Sequence, residues 1–118
     1  MVIDDDTDTL MLLKNIFQKS GLEVFTSATG NNAVEKAEKY HPDVLLLDVN
    51  LDYPYDGRKI CEQLRDNEKT KDIKIFLCSA QYRDDKKAVF REDGFIPKPF
   101  DLVQLENAIL PAALRKHE

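Results

Sequence analysis

A carboxylate ends the most apolar segment of this chain. Asp48 directly follows the run Val44-Leu45-Leu46-Leu47. Four consecutive apolar residues leave no polar face, which is typical of a central parallel strand covered by helices on both sides. The carboxyl edge of such a sheet is where open α/β folds bind their ligands. Because a buried carboxylate is costly without a nearby cation, Asp48 is the first candidate functional residue.

Three more carboxylates follow the first apolar segment. Asp4, Asp5 and Asp6 stand where the chain turns out of a short strand at residues 2–3, so two of them can converge on one site. Asp at the start of a helix is also a favourable N-cap, and the cluster by itself fits either role. In a doubly wound sheet the ends of strands one and three are neighbours, which brings the cluster near Asp48.

These carboxylates predict a magnesium site. Carboxylates that share a site repel one another and have raised pKa values unless a cation is present. Asp4, Asp5 and Asp48 offer only oxygen ligands, which suit Mg²⁺ in octahedral geometry with water completing the shell. Zinc matches poorly, because no His or Cys lies near these strand ends.

Two further polar residues end predicted strands. Ser79 follows the strand pattern at residues 73–78, and Lys98 follows the one at residues 95–97. Either residue alone is typical of a solvated loop, but with two carboxylates and a metal they make an anion-handling site. A metal and a lysine that neutralise a phosphoryl group catalyse its transfer by positioning and charge.

Strand and helix patterns alternate along the chain. Strands are predicted at residues 2–3, 22–25, 44–47, 73–78 and 95–97, and helices at residues 10–20, 33–40, 58–66, 84–92 and 102–114. Asn31 or Asn32 is the predicted cap of the second helix, and Asp101 that of the last. The alternation predicts an α/β fold, a doubly wound five-stranded parallel sheet with helices on both faces.

The bulk composition excludes several classes of function. The 118 residues make one domain, and 42% hydrophobic and 33% charged residues are ordinary for a globular protein. A net charge of -5 with mixed signs argues against a nucleic-acid surface, and no apolar run approaches the roughly 18 residues of a membrane span. Cys61 and Cys78 lack metal or redox spacing, so we expect buried free thiols and a cytoplasmic location.

Four motifs together resemble the response-regulator receiver domains of two-component signalling. They are Ile3-Asp4-Asp5-Asp6, Leu47-Asp48-Val49-Asn50-Leu51, Ser79-Ala80 and Lys98-Pro99-Phe100, in the family's order and near its spacing. The resemblance covers nearly the whole chain. It implies a single receiver domain over residues 1–118, a flavodoxin-like fold similar to that of chemotaxis regulators, and a phosphoacceptor signalling domain rather than an enzyme.

The resemblance also implies a role for each site residue. Asp48 would be the phosphoacceptor, taking a phosphoryl group from a sensor histidine kinase or a histidine phosphotransfer protein. Mg²⁺, which Mn²⁺ could replace, would be held by Asp5, by Asp4 mainly through water, by Asp48 and by the main-chain carbonyl of Asn50. Lys98 would pair with Asp48 and then with a phosphoryl oxygen.

A conformational switch is implied as well. Ser79 would donate its hydroxyl to a phosphoryl oxygen, and Phe95 matches the family's switch aromatic, whose ring turns inward in a population shift. The Lys98-Pro99 bond is cis in this family, which proline permits. Asn50 and Gln81 occupy variable positions that, in the family, influence the rate of dephosphorylation.

Two segments depart from the family's pattern. The stretch Asp52-Tyr53-Pro54-Tyr55-Asp56-Gly57 carries one extra residue after Leu51, which alters the entry to the third helix. Gly94 runs directly into Phe95, where the family has about three more residues. The second departure lies on the face that receiver domains commonly use for output or dimer contacts.

Other functions stay open from the residues alone. The segment from Asp4 to Leu10 echoes haloacid-dehalogenase-type phosphohydrolases, but their Asp-x-Asp-x-Thr signature cannot be placed on it. A degenerate receiver that only binds proteins is the other alternative, although the acceptor, acidic pair, hydroxyl and lysine are all present. The regulator either acts alone through protein contacts or is part of a larger protein with a downstream output domain.

Overall fold

A five-stranded parallel sheet flanked by helices organises the computed structural model, which describes residues 1–80 and 90–114. The strands are β1 (Val2–Ile3), β2 (Thr26–Ser27), β3 (Val44–Asp48), β4 (Lys74–Ser79) and β5 (Gly94–Pro97), and the helices are α1 (Thr7–Lys19), α2 (Ala33–Tyr40), α3 (Gly57–Arg65) and α4 (Leu102–Leu114). The strand order is β2-β1-β3-β4-β5, with every pair parallel. This is the flavodoxin-like order, so the predicted fold class is confirmed.

The all-apolar β3 strand is buried on both faces of the sheet. Leu45 and Leu47 belong to the core cluster on the side of α2 and α3. Val44 and Leu46 belong to the cluster on the side of α1 and α4. Successive side chains of a strand point to opposite faces, so both faces of β3 need apolar residues. Among the described helices, none is long and apolar enough to cross a membrane.

The prediction for the second strand was wrong by several residues. β2 comprises Thr26–Ser27, not residues 22–25. Val2 pairs with Thr26 and Ile3 with Ser27, so residues 22–25 precede the first of these pairs. Leu22 and Val24 instead pack against the core cluster on the side of α1 and α4. The apolar alternation of Leu22 and Val24 thus reflects packing against this cluster rather than strand pairing.

The helices α2 and α4 start at the predicted residues, whereas α1 begins at Thr7, three residues before its predicted start. Asp101 accepts hydrogen bonds from the backbone N–H groups of Val103 and Gln104, as expected of a cap for α4. Asn32 stands at the N-cap of α2, but its backbone is left-handed (φ 56°) and its side chain makes no capping hydrogen bond. The position of the cap was therefore predicted correctly and its chemistry was not.

The lengthened loop after Leu51 ends at a helix that starts one residue earlier than expected. Asp56 caps α3, and Gly57 donates its N–H to the carbonyl of Val49 at 3.1 Å. A Cβ on Gly57 would overlap the carbonyl oxygen of Asp48. Glycine therefore lets the start of α3 lie directly against the end of β3, and the extra residue is accommodated in the loop.

The prediction of a helix at residues 84–92 is wrong for its last three residues. Residues 90–92 are not helical, and Arg91 has a left-handed backbone (φ 64°). The rest of that prediction lies outside the described residues, as does Gln81.

An arginine anchors the shortened connection before β5. The guanidinium of Arg65, at the end of α3, donates to Asp93 Oδ2 at 2.6 Å and to the carbonyl of Arg91 at 2.8 Å. Asp93 Oδ2 also accepts from the N–H of Ile75 in β4 at 2.7 Å. The short segment is thus attached both to α3 and to the start of β4.

The two cysteines are free and buried, as predicted. Cys61 lies in α3, and burial raises the pKa of its thiol to about 11. Cys78 lies in β4, and burial raises its pKa further. A high thiol pKa leaves little reactive thiolate at neutral pH, so both cysteines act as packing residues of the hydrophobic core.

Candidate functional site

The register of the sheet places Asp4 and Asp48 side by side. Ile3 in β1 pairs with Leu47 in β3, so the next residue of each chain segment leaves the same edge of the sheet. Both carboxylates are buried there, with Asp4 1% and Asp48 4% exposed. The ends of β1 and β3 are therefore neighbours, as the sequence predicts, and a buried carboxylate follows each of them.

A third carboxylate joins them to make a cluster that could hold a metal ion. Oxygen atoms of Asp4, Asp5 and Asp48 all lie within 4.8 Å of one another. Burial raises the pKa of Asp48, and the charge of Asp4 raises it further against the opposing effect of Lys98. The pKa of Asp5 is also raised, first by burial and then by neighbouring carboxyl groups. Oxygen-only ligands with excess negative charge fit Mg²⁺, so the donor set agrees with the predicted metal.

Lys98 supplies a positive charge to the same edge from β5. Its ammonium lies 2.7 Å from Asp4 Oδ2 and 3.2 Å from Asp48 Oδ2. Burial lowers the pKa of Lys98, but its hydrogen bond to Asp4 and the charges of both carboxylates outweigh burial and raise it to about 12. The Lys98-Pro99 peptide bond is cis. The expected pairing with Asp48 is present, together with a shorter contact to Asp4 that sequence reasoning missed.

Asn50 and Ser79 are joined by a side-chain hydrogen bond. Asn50 Nδ2 donates to Ser79 Oγ at 3.0 Å, and the N–H of Asn50 donates to Asp48 Oδ1 at 3.2 Å. Ser79 is buried at the end of β4. The structure thus brings Ser79 to the acidic edge as predicted. The amide contact was missed, although the position of Asn50 two residues after Asp48 was a usable signal.

Phe95 lies in β5 at the position predicted for it. It pairs in register with Leu77 of β4, and its half-buried ring packs against the core on the side of α2 and α3. Its role as a switch remains a prediction.

The acidic cluster after β1 divides between the two roles considered for it. Asp6 caps α1, accepting from the N–H of Asp8 at 3.1 Å and from the hydroxyl of Thr9 at 2.8 Å. Asp4 and Asp5 belong to the carboxylate cluster instead. The N-cap interpretation is therefore correct for Asp6, and metal binding by Asp4 and Asp5 stays a prediction.

Sequence reasoning did not identify Asp52 as part of this edge. After burial, the carboxyl group of Asp52 is the next cause of the raised pKa of Asp5. Asp52 belongs to the stretch that carries one extra residue after Leu51. The departure from the family's pattern was visible in the sequence, but its consequence for Asp5 was not.

Comparisons with known proteins agree with this geometry. The family model described as the response regulator receiver domain matches residues 1–110. The alkaline phosphatase synthesis transcriptional regulatory protein PhoP of Bacillus subtilis is 33% identical over 121 residues, which cover 100% of this chain and 49% of that protein. The chain thus spans about half the length of the curated relatives it matches.

Solved structures show the same fold. A response regulator from Chloroflexus aurantiacus superposes with a TM-score of 0.85 at 27% identity, covering 97% of this chain and 95% of that one. The receiver domain of the sensor histidine kinase PA1611 from Pseudomonas aeruginosa superposes with a TM-score of 0.80 at 22% identity, covering 97% of this chain and 94% of that one. That structure has a magnesium ion coordinated in its active site cleft. The chain belongs to the response-regulator receiver domains of two-component signalling.

Proposed function

We propose that Asp48 accepts a phosphoryl group from a phosphohistidine, in a reaction that requires Mg²⁺ at Asp4, Asp5 and Asp48. The phosphohistidine belongs to a sensor histidine kinase or to a histidine phosphotransfer protein. The observation that carries this proposal is the gathering of three carboxylates within 4.8 Å, two of which contact the ammonium of Lys98. The three carboxylates attract a divalent cation, and this cation together with Lys98 can neutralise the charge of an incoming phosphoryl group.

The nucleophile is a carboxylate oxygen of Asp48. It attacks phosphorus as the phosphorus–nitrogen bond to the donor histidine breaks, and the bonding electrons return to the imidazole nitrogen. The product is an acyl phosphate on Asp48. Attack needs the ionised carboxylate, which Lys98 at 3.2 Å and the N–H of Asn50 at 3.2 Å both stabilise.

Charge at the site is balanced by the metal and by Lys98. Mg²⁺, when bound, would neutralise negative charge on the phosphoryl oxygens, with the carbonyl of Asn50 as a further ligand. Lys98 pairs with Asp4 and Asp48 before transfer, and a phosphoryl group on Asp48 brings a new oxygen within its reach. The lysine thus keeps an anionic partner throughout the reaction.

Ser79 and Phe95 connect the phosphoryl group to the surface. In this structure Ser79 Oγ accepts a hydrogen bond from Asn50, and we expect the hydroxyl to turn towards a phosphoryl oxygen after transfer. We expect that movement to favour the inward position of the Phe95 ring. Phosphorylation of Asp48 thereby shifts the population of the domain from one conformation to the other.

The signalling partners follow from the same proposal. A sensor kinase or phosphotransfer protein supplies the phosphoryl group, and the output is a downstream protein or a fused output domain. The receiver itself acts as a cytoplasmic phosphoacceptor that assists its own phosphorylation and dephosphorylation, not as an enzyme acting on a separate substrate. Buried free cysteines favour the reducing compartment.

Acetyl phosphate tests the proposal without knowledge of the kinase. Incubation with Mg²⁺ should add the mass of one phosphoryl group, and peptide mapping should place it on Asp48. EDTA should prevent the change, and Asp48→Asn should abolish it. An unchanged mass in wild-type protein would identify a degenerate receiver that only binds partners. Label on Asp4 in place of Asp48 would indicate phosphohydrolase chemistry.

A further inference from the structure

A hydrogen bond between two side chains connects the end of β3 to the end of β4. Asn50 Nδ2 donates to Ser79 Oγ at 3.0 Å. Asn50 is exposed, whereas Ser79 is only 3% exposed, so the contact joins a surface residue to a buried one. The two lie at the same edge of the sheet, because Asp48 in β3 pairs with Cys78 in β4. The hydroxyl that we expect to bind a phosphoryl oxygen therefore already contacts Asn50.

The main chain around Ser79 is held by hydrogen bonds to both neighbouring strands. The N–H of Val49 donates to the carbonyl of Cys78 at 2.9 Å, and the N–H of Lys98 donates to the carbonyl of Ser79 at 2.9 Å. These bonds oppose a displacement of the main chain at this position. A side chain, by contrast, can move between staggered rotamers. The Ser79 hydroxyl therefore reaches a phosphoryl group on Asp48 by rotation of its own side chain.

Asn50 is held in place on the other side of the contact. Its N–H donates to Asp48 Oδ1 at 3.2 Å. The carbonyl of Val49, the residue before it, accepts from the N–H of Gly57 at 3.1 Å, which ties this segment to the start of α3. The main chain of Asn50 thus has little freedom to follow a moving hydroxyl. Rotation of the Ser79 side chain lengthens the hydrogen bond between the two residues.

We propose that Asn50 is a positioning residue for Ser79, whose amide holds the hydroxyl in its position before phosphoryl transfer. The inference rests on the proposed function, since it concerns the response of Ser79 to a phosphoryl group on Asp48. The phosphoryl group must draw the hydroxyl out of its contact with the amide. A typical hydrogen bond between neutral groups shifts an equilibrium about fivefold. Asn50 therefore favours the unswitched position of Ser79 by about that factor.

Beryllofluoride, a tetrahedral mimic of the phosphoryl group, tests the inference in the presence of Mg²⁺. Asn50→Leu keeps the branched shape of the side chain and removes its donor, while the main-chain N–H and carbonyl stay. We expect this variant to bind beryllofluoride about fivefold more tightly than wild type in a ¹⁹F NMR titration, because no contact with the amide has to be broken. Asn107→Leu is the matched control, since it makes the same replacement at an exposed residue of α4.

Ser79→Ala shows whether Asn50 acts through the hydroxyl. This variant should bind beryllofluoride more weakly than wild type, because it lacks the group that turns towards the mimic. Asn50→Leu added to Ser79→Ala should give no further gain in affinity, because there is no hydroxyl left to hold. An equal gain with and without the hydroxyl would show that Asn50 acts by another route and would overturn its role.

The side-chain amide of Asn50 provides a second measurement, which begins without a phosphoryl mimic. In the metal-free protein, Ser79→Ala should shift the ¹H and ¹⁵N resonances of this amide, because its acceptor is lost. Adding Mg²⁺ and beryllofluoride to wild type should shift the same resonances in the same direction. Resonances that stay in place while the mimic binds would show that the hydrogen bond survives the turn of the hydroxyl, which contradicts the inference.

The outcomes distinguish this inference from the proposed function. If wild type binds beryllofluoride and Asn50→Leu binds it equally well or more weakly, the role of Asn50 is overturned and the phosphoacceptor site stands. If wild type binds no beryllofluoride in the presence of Mg²⁺, both are overturned. A gain of the same size in Asn107→Leu would show a general effect of replacing a surface amide and would also overturn the role of Asn50.

Discussion

The ammonium of Lys98 lies 2.7 Å from Asp4 Oδ2, closer than its 3.2 Å contact with Asp48 Oδ2. Lys98 follows β5 and Asp4 follows β1, and two strands separate β5 from β1 in the sheet. One side chain therefore spans the acidic edge and contacts both buried carboxylates. Before phosphorylation, Lys98 acts as the shared counter-ion of Asp4 and Asp48.

Replacing Lys98 with methionine should destabilise the metal-free protein. Lys98→Met keeps the length of the side chain and leaves two buried carboxylates without their cation, which costs about 3 kcal/mol when a buried pair is broken. The pKa of Lys98 is raised to about 12, so its contribution is fully present at neutral pH and is lost only as the pH rises towards that value. Urea unfolding in EDTA measures the change in unfolding free energy.

A lysine from the solvent face of α1 provides the control for Lys98. Lys14 is exposed, and Lys14→Met should change the unfolding free energy by less than about 0.5 kcal/mol. Equal effects of the two substitutions would show that the Lys98 contacts contribute no more than a surface charge.

Magnesium should raise the melting temperature of the wild-type protein. The cation relieves repulsion among Asp4, Asp5 and Asp48 and binds the folded state preferentially. A concentration tenfold above the dissociation constant stabilises the folded state by about 1.4 kcal/mol. Scanning calorimetry with millimolar MgCl₂ should therefore show a shift of a few degrees. Potassium chloride at the same ionic strength is the control, and an identical shift with it would rule out a specific site.

The pH dependence of stability should report the charge of Asp48. Burial and Asp4 raise its pKa in the folded state, so the folded protein holds this proton to higher pH than the unfolded chain. Stability from this group is therefore lost as the pH rises from the ordinary carboxyl range through the raised pKa. Asp48→Asn has no such charge. Relative to wild type in EDTA, its unfolding free energy should increase across that interval.

The control for this pH profile has the opposite sign. The hydrogen bond and charge of Arg91 lower the pKa of Asp66, so wild type gains stability as that carboxylate ionises. Relative to wild type, Asp66→Asn should become less stable as the pH rises. Parallel profiles for Asp48→Asn and Asp66→Asn would contradict the assignment of a destabilising charge to Asp48.

Arg65→Lys should loosen the shortened connection before β5. Lysine cannot reproduce the fork that contacts Asp93 and the carbonyl of Arg91, and hydrogen bonds with charged partners are each worth about 2 kcal/mol. Urea unfolding should show a loss of that order. Hydrogen exchange at the N–H of Asp93, which donates to Ile75 at 2.8 Å, should become faster.

An exposed arginine on the same helix is the matched control for Arg65. Arg58 pairs with Asp56 at 2.8 Å, but its side chain is 46% exposed, against 12% for Arg65. Exposed ion pairs contribute about 0–1 kcal/mol, so Arg58→Lys should have the smaller effect. An equal effect at both positions would show that the contacts of Arg65 do not hold the connection.

The sequence by itself determined the fold class and which residues stand at the ends of the strands. The apolar run of β3 required burial on both faces, and residues at the ends of parallel strands share one edge by geometry. The positions of Asp4, Asp48, Ser79 and Lys98 at that edge therefore follow from local pattern and chain direction. Asp101 as a cap is a local property of the same kind.

Only the tertiary structure decided which of these side chains meet. The contact of Lys98 with Asp4 joins residues 94 positions apart, and the hydrogen bond from Asn50 to Ser79 joins residues 29 positions apart. Such contacts depend on side-chain conformations and on how the loops pack, which no periodicity encodes.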